Sequence, residues 1–197
     1  MKVLHVAVFA LSLVVLSACG GGGPVPKDQF YRLSVTAPSD VRGAPYIDGL
    51  LVVDRPLTDG VTVERAIAYS DTPNQLTQYA YHYWIDTPPR LVQQALVEYL
   101  RDSKIATAVV TPDHRALADY TLQGRITRFE HDRGATNSAV IAAEFSLLRE
   151  RDGKVLFLQA YEVRKEATDA SVPAAVDAMS AAMTDLCGQV AHDLAKF

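Results

Sequence analysis

The chain has 197 residues, a formal charge of −4 and two cysteines. Mild acidity without a basic cluster excludes a nucleic-acid surface, and two cysteines exclude a disulfide-framed scaffold. The length suits one domain. Met1 and Lys2 precede an apolar stretch over residues 3–16 that ends in small residues, the order of a secretory leader. A permanent helical span needs about 20 apolar residues to cross a core of ~30 Å. The stretch therefore reads as a leader covering residues 1–18 that is removed.

Leu16-Ser17-Ala18-Cys19 resembles the lipobox of bacterial lipoproteins. The resemblance implies a diacylglyceryl group on the Cys19 thiol, cleavage at its amino side and a lipid-anchored, palmitate-type mature protein. An ordinary leader with an incidental cysteine fits less well, because a small residue precedes Cys19 and glycines follow it. A second acyl chain turns marginal binding into lasting attachment, each buried methylene contributing about 0.8 kcal/mol. Gly20 stands where lipoproteins kept in the inner membrane of enteric-type bacteria carry Asp, which points to the outer membrane. Residues 20–23 are all glycine and Pro24-Val25-Pro26 follow. Residues 19–29 thus make a lipidated cysteine and a tether that is flexible and then stiffer, and the folded domain is expected over residues 30–197.

Phe30, Leu33 and Val35 open a first strand, and residues 46–53 give a second, fenced by Pro45 and Pro56. Residues 61–69 read as a third and 75–85 as a fourth, with Asp71-Thr72-Pro73-Asn74 as the turn between them. In the fourth, Tyr79, Tyr81, Tyr83 and Ile85 alternate with Ala80, His82 and Trp84. Both faces are bulky, which predicts a strand covered on both sides. Thr87 caps a helix with Pro88 in its first turn, and Leu91, Val92, Ala95, Leu96, Tyr99 and Leu100 share one face. A short strand over 105–110 and a loop or single turn over 112–118 follow. Three long strands are predicted over 120–130, 139–150 and 154–165, the last two joined by the hairpin signal Asp152-Gly153. Along the middle one, Ile141, Ala143, Phe145 and Leu147 line one face. A helix over 172–195 closes the chain, with Val172, Val176, Met179, Met183, Leu186, Val190 and Leu194 spaced by fours and threes. The order predicts one α/β (α+β) two-layer domain, a largely antiparallel sheet with both helices on one face.

Chemistry-bearing patterns are scarce. None of His82, His114, His131 and His192 has a second ligand at zinc-site spacing. Asp113-His114 and His131-Asp132 are sequence neighbours, which point apart in a strand and are solvated in a turn. Ser34, Ser138 and Ser146 lack a nucleophile elbow, and residues 20–23 lack the strand and Lys-Ser or Lys-Thr of a phosphate loop. Cys187 falls on the apolar side of the last helix, where a thiol behaves as a small hydrophobe. No catalytic residue, metal or cofactor is expected. Tyr79, Tyr81, Tyr83 and Trp84 remain as a strip that lines either a packed core, the heavier reading, or a lipid groove or partner surface.

Taken in order, several segments resemble the ABC-type transport auxiliary lipoproteins over nearly the whole mature chain. They are the lipobox, Phe30-Tyr31-Arg32-Leu33, a short strand ending near Asp54-Arg55, Tyr83-Trp84-Ile85-Asp86-Thr87-Pro88 leading into Leu91-Val92, Leu122-Gln123-Gly124-Arg125-Ile126 with Phe129-Glu130, and Asp152-Gly153-Lys154-Val155. Residues 48–53 depart from the family pattern, in which a proline precedes a Tyr-Leu-Asp-type turn. The resemblance implies a periplasm-facing, non-catalytic accessory of a transport system with an MCE-domain partner, moving lipids or other hydrophobic molecules, the ATPase being a separate chain. A homo-oligomer is compatible with it. The alternatives are a stand-alone lipoprotein that carries lipid in a deep apolar cavity and an envelope hydrolase with a polar titratable cleft.

Overall fold

The computed structural model describes residues 26–39, 41, 43–134 and 136–197. The expected leader, Cys19 and the glycines lie outside the described residues; Pro26, Lys27 and Asp28 of the tether are exposed coil. Eight strands follow: β1 (Gln29–Tyr31), β2 (Ile47–Val53), β3 (Ala66–Thr72), β4 (Gln75–Trp84), β5 (Ala106–Val110), β6 (Tyr120–Asp132), β7 (Ser138–Arg149) and β8 (Lys154–Glu166). Two helices, α1 (Pro88–Asp102) and α2 (Val172–Leu194), complete the fold.

Local chemistry explains the strongest elements. Gly153 takes the left-handed conformation at φ 66° between β7 and β8, as an Asp-Gly hairpin requires. Beside it the Arg149 guanidinium grips both Asp152 carboxylate oxygens at 3.0 and 2.7 Å. Ser171 caps α2 by accepting the Ala174 N–H, and a proline stands in the first turn. The predicted apolar face of α2 is buried at every position from Val172 to Leu194. Thr87 precedes α1 without a side-chain capping bond. Instead Asp86 accepts the Thr87 N–H at 2.8 Å and pairs with Arg90 at 3.2 Å.

The strands form one curled sheet in the order β1-β4-β3-β6-β2-β5, with β7 on the other edge of β6 and β8 beyond it. The long β6–β7 and β7–β8 ladders and the β3–β4 hairpin are antiparallel. The shorter β1–β4, β2–β5, β2–β6 and β3–β6 ladders are parallel. Both helices pack on one face, α1 against β2 and β5 and α2 against β7 and β8. They meet each other over a core that includes Trp84, Leu96, Leu100, Phe129, Phe145, Met183 and Leu186.

Three expectations are corrected. The first strand stops at Tyr31, because α2 supplies other partners: the Ser34 and Thr36 N–H groups donate to the Ser180 and Thr184 hydroxyls at 3.3 and 3.1 Å. Leu33 and Val35 still pack on the core. The third strand begins only at Ala66, since residues Gly60–Val63 form a 3-10 turn. The fourth is not covered on both sides; most of its side chains are exposed or half-buried and β1 shields only three of its residues.

The Leu122-x-Gly124-x-Ile126 pattern has a packing cause. Gly124 lies opposite Phe145 in the β6–β7 register, and the Phe145 ring occupies the space where a Cβ would stand. Phe145 is itself buried, so Gly124→Ala is expected to overpack the site and cost about 1–3 kcal/mol. A lowered chemical-denaturation midpoint would show this, whereas an unchanged midpoint would mean that the ring moves aside freely. Met183 is fully buried, and Met183→Asp is expected to abolish the cooperative unfolding transition, because an unpaired carboxylate has no solvation there.

Candidate functional site

Strand β4 carries the aromatic strip singled out from the sequence, and the structure splits that strip. Between Ala66↔Tyr83 and Ala68↔Gln78 the β3–β4 register slips by several residues on the β4 side. Tyr81 sits in this irregularity in the left-handed region at φ 65°, a strained conformation for an aromatic residue. A period of two cannot survive such a slip, so Tyr79, Tyr81 and Tyr83 do not form one row.

Each residue meets different company. Trp84 is core, its ring 5.6 Å from Phe129 and edge-on to it. Tyr83 lies 5.7 Å from the Phe30 ring and shares an open cavity of about 330 Å³ with Asp28, Phe30, Glu64, Arg65 and Ala66. Arg65 stacks over Phe30 at 5.3 Å while its Nε donates to the Trp84 carbonyl at 3.1 Å. Tyr81 is 39% exposed. Tyr79 turns to Tyr69, 4.4 Å away between ring centres, and stacks on His131.

Around Tyr79 the polar atoms form a relay. The His131 ring is fully buried, its Nδ1 2.8 Å from the Tyr79 hydroxyl and its Nε2 2.9 Å from Asn137 Oδ1. An amide oxygen only accepts, so Nε2 carries the proton and Nδ1 accepts from Tyr79. Asn137, left-handed at φ 42°, donates its amide to the Asp169 carbonyl at 2.9 Å. The Asp169 carboxylate accepts the N–H of Ser171, the cap of α2. Arg133 lies 4.0 Å over the Tyr69 ring and forks onto Asp71 at 2.8 and 2.9 Å. Tyr31 and His82 form a second stacked pair, joined through hydroxyl and Nδ1 at 2.8 Å. Burial pushes the Tyr79 and Tyr31 hydroxyls up and the His131 imidazole down.

These contacts hold the aromatic rings of β3 and β4 in place. His131 turns away from Asp132, which Arg164 and Arg128 hold at 3.1 and 3.9 Å. His114 bonds locally to Thr111. Cys187 is buried and its thiol is pushed up by that burial. Among the described residues no group of three His, Cys, Asp or Glu side chains is placed to hold a metal, and no helix is long and apolar enough to cross a membrane. A second cavity of about 620 Å³ opens between β8 and α2 with mixed polar and apolar lining, including Tyr99, Ala160, Tyr161, Asp185, His192 and Asp193. Sequence reasoning missed Tyr31, Phe30, Arg65, Tyr69, His131 and Arg133 as members of this surface. The usable signal was the step of two from Phe129 to His131, which puts the imidazole on the core side of a strand.

Fold and surface together define a two-layer α/β domain that leaves one aromatic strand hairpin beyond the cover of its helices. The chain belongs to the family described as the ABC-type transport auxiliary lipoprotein component, which matches residues 31–191. Among solved structures it is similar to protein XCC0632 from Xanthomonas campestris, at 22% identity and TM-score 0.73, covering 83% of this chain and 92% of that one. A second, uncharacterized protein is similar at 14% identity and TM-score 0.69, covering 86% and 99%. These two likenesses establish the fold alone. A comparison with curated proteins returns no match.

The buried imidazole makes stability depend on pH. His131 has a folded pKa below its unfolded value of about 6.5. Its contribution is therefore complete above about pH 6.5 and is lost as pH falls below that value, when the unfolded chain takes a proton that the folded chain refuses. Unfolding midpoints are expected to drop between pH 7.5 and 5.5 in the native protein and to drop less in His131→Gln. Equal drops would place the titrating group elsewhere.

Proposed function

We propose that this protein is a lipid-anchored, periplasm-facing and non-catalytic auxiliary subunit of an ABC-type transport system, and that its partner is an MCE-domain protein moving lipid or another hydrophobic molecule. The observation that carries the reading is the family match over residues 31–191, downstream of Leu16-Ser17-Ala18-Cys19. Titratable groups in the cavity beside α2 are engaged in pairs, Tyr161 donating to Asp193 and Asp185 paired with Lys165, which supports a binding role over a hydrolase, and the charged groups in that lining favour a partner-presenting domain over a lipid container. In this reading Cys19 carries the acyl chains, Gly20 directs the protein to the outer membrane, and Tyr79 with Arg133, and separately the exposed Tyr81, present side chains of the kind enriched at binding hot spots. Several copies around one partner are compatible with the fold.

Two experiments test the parts separately. Cys19→Ala is expected to release the protein from membranes or leave it uncleaved. Mass spectrometry of the native N-terminus should find acyl chains on Cys19; cleavage elsewhere with no acylation would remove the anchor. Crosslinking in intact envelopes should capture an MCE-domain protein with the native chain. Tyr81→Glu and Arg133→Glu are expected to lower that yield at least several-fold while circular dichroism stays unchanged, since truncated hot spots cost about 2 kcal/mol or more. If the native chain brings down no MCE-domain protein, the transport partnership falls while the anchor stands.

A further inference from the structure

The cavity between β1 and β4 occupies an informative place. Its rim includes Asp28, the last coil residue before β1, so the tether enters the fold at the cavity itself. Cys19 and Asp28 are nine residues apart, a reach of about 32 Å at full extension. A lipid on Cys19 therefore holds this cavity within one tether length of the bilayer. The far end of the strand path, β2 and β5, is separated from β1 by β4, β3 and β6.

The chemistry of the cavity suits that position. Phe30 is 56% exposed and Val63, on the turn next to Glu64, is 49% exposed. Tyr83 stands beside Phe30 with an amphipathic ring, and Ala66 leaves the floor shallow. Arg65 lies flat on Phe30, and among the described residues its guanidinium has no carboxylate partner. Asp28 and Glu64 line the same cavity as Arg65, so the aromatic ledge offers both signs of charge, which matches the zwitterionic membrane interface, where Tyr and aromatic rings sit at headgroup depth and Arg reaches phosphate oxygens.

We propose that the Phe30–Tyr83–Arg65 ledge is a membrane seat: it rests on the phospholipid headgroup layer in which the Cys19 anchor is inserted and fixes the orientation of the domain on the bilayer. The proposal rests on the lipid-anchored reading and is independent of the MCE partnership. It gives the tether a function beyond attachment, because a domain that only hung from glycines would present its surfaces in every direction. Seated on Phe30, it turns a fixed side to the periplasm.

The test uses the full lipidated chain reconstituted in vesicles of phosphatidylethanolamine and phosphatidylglycerol. An environment-sensitive fluorophore is placed at Val63→Cys or at Leu117→Cys, the latter 97% exposed in the loop before β6; native Cys187 is buried. Lipids bearing a quencher near the headgroup should quench the Val63 label, blue-shift its emission and leave the Leu117 label unaffected. Phe30→Glu or Tyr83→Glu should return the Val63 label to water without releasing the protein from the vesicles in flotation. Quenching that is equal at both positions, or absent at Val63 in a protein that floats, would overturn the seat. Burial of the Val63 label only after solubilised envelope proteins are added would overturn it in favour of a protein occupant. Failure to float, with no acyl group on Cys19, would overturn the anchor and with it the seat, and mass spectrometry distinguishes that case.

Discussion

Strand β6 is the constraint from which the rest of the architecture follows. Backbone N–H and C=O groups inside a sheet need partners along their whole length, and β6, at 13 residues, is longer than β2 or β3. One edge is filled by β7 almost from end to end. The other is divided: β2 takes residues from Tyr120 to Leu122, β3 takes His131 and Asp132, and Leu57 bridges Arg125 between them. Two shorter strands, both parallel to β6, therefore share its second edge, one at each end. Gly124 makes the central stretch possible by letting the Phe145 ring lie against the β6 backbone, so the packing under the helices and the split above it meet at one residue.

That division also creates the candidate surface. Only Tyr69 and Ser70 tie β3 to β6, and the β3–β4 hairpin then runs beyond the helices, which pack on β2, β5, β7 and β8. Aromatic residues that a helix would have buried become half-exposed, and side chains do the work of the missing layer. Arg133 roofs Tyr69, Tyr79 closes over His131, and Asn137 connects both to the lead-in of α2. On the other side of the sheet, where no helix packs, charged arms do the same. Arg128, Glu130 and Asp132 on β6 link to Glu162 and Arg164 on β8 at 2.5 to 3.9 Å, while Val140 and Ala142 between those strands stay buried. A network of this kind covers apolar surface with aliphatic stems and needs no net stabilisation from any one exposed pair.

Most of the fold was legible from residues because its long elements obey one period each. The three strands from Tyr120 onward and both helices match their predicted spans to within a few residues, since burial on one face repeats regularly. Failures fall where a non-local partner decided the outcome. Residues 32–36 look like strand, yet the hydroxyls of Ser180 and Thr184 lie about 150 positions away and take the hydrogen bonds. Thr87 does stand at the N-cap of α1, though its side chain makes no capping hydrogen bond. The aromatic strip was found but its arrangement was not, because Tyr81 takes a left-handed conformation that nothing in alternating spacing signals. His131 was set aside for its sequence neighbour Asp132, although its true partners, Tyr79 and Asn137, come from β4 and the turn before β7.

A domain built this way is better suited to presentation than to containment. Its core is filled by side chains from the sheet and from two helices that touch each other, and the cavities described lie open at the surface, not enclosed within that core. What remains available is surface: aromatic, held in fixed rotamers by a buried histidine and by stacked arginines, and carried on a hairpin whose first neighbour, β1, joins the tether. Rigid aromatic groups lose little conformational entropy on contact. The same economy applies to a bilayer interface and to a protein face, and one region is proposed for each: Phe30 of β1 with Tyr83 of β4 where the tether enters, and Tyr69 and Tyr79 with Arg133 at the junction with β6. In the proposed reading both regions share β4, so one strand would set the position of the membrane and that of the partner, and the irregularity at Tyr81 lies between them.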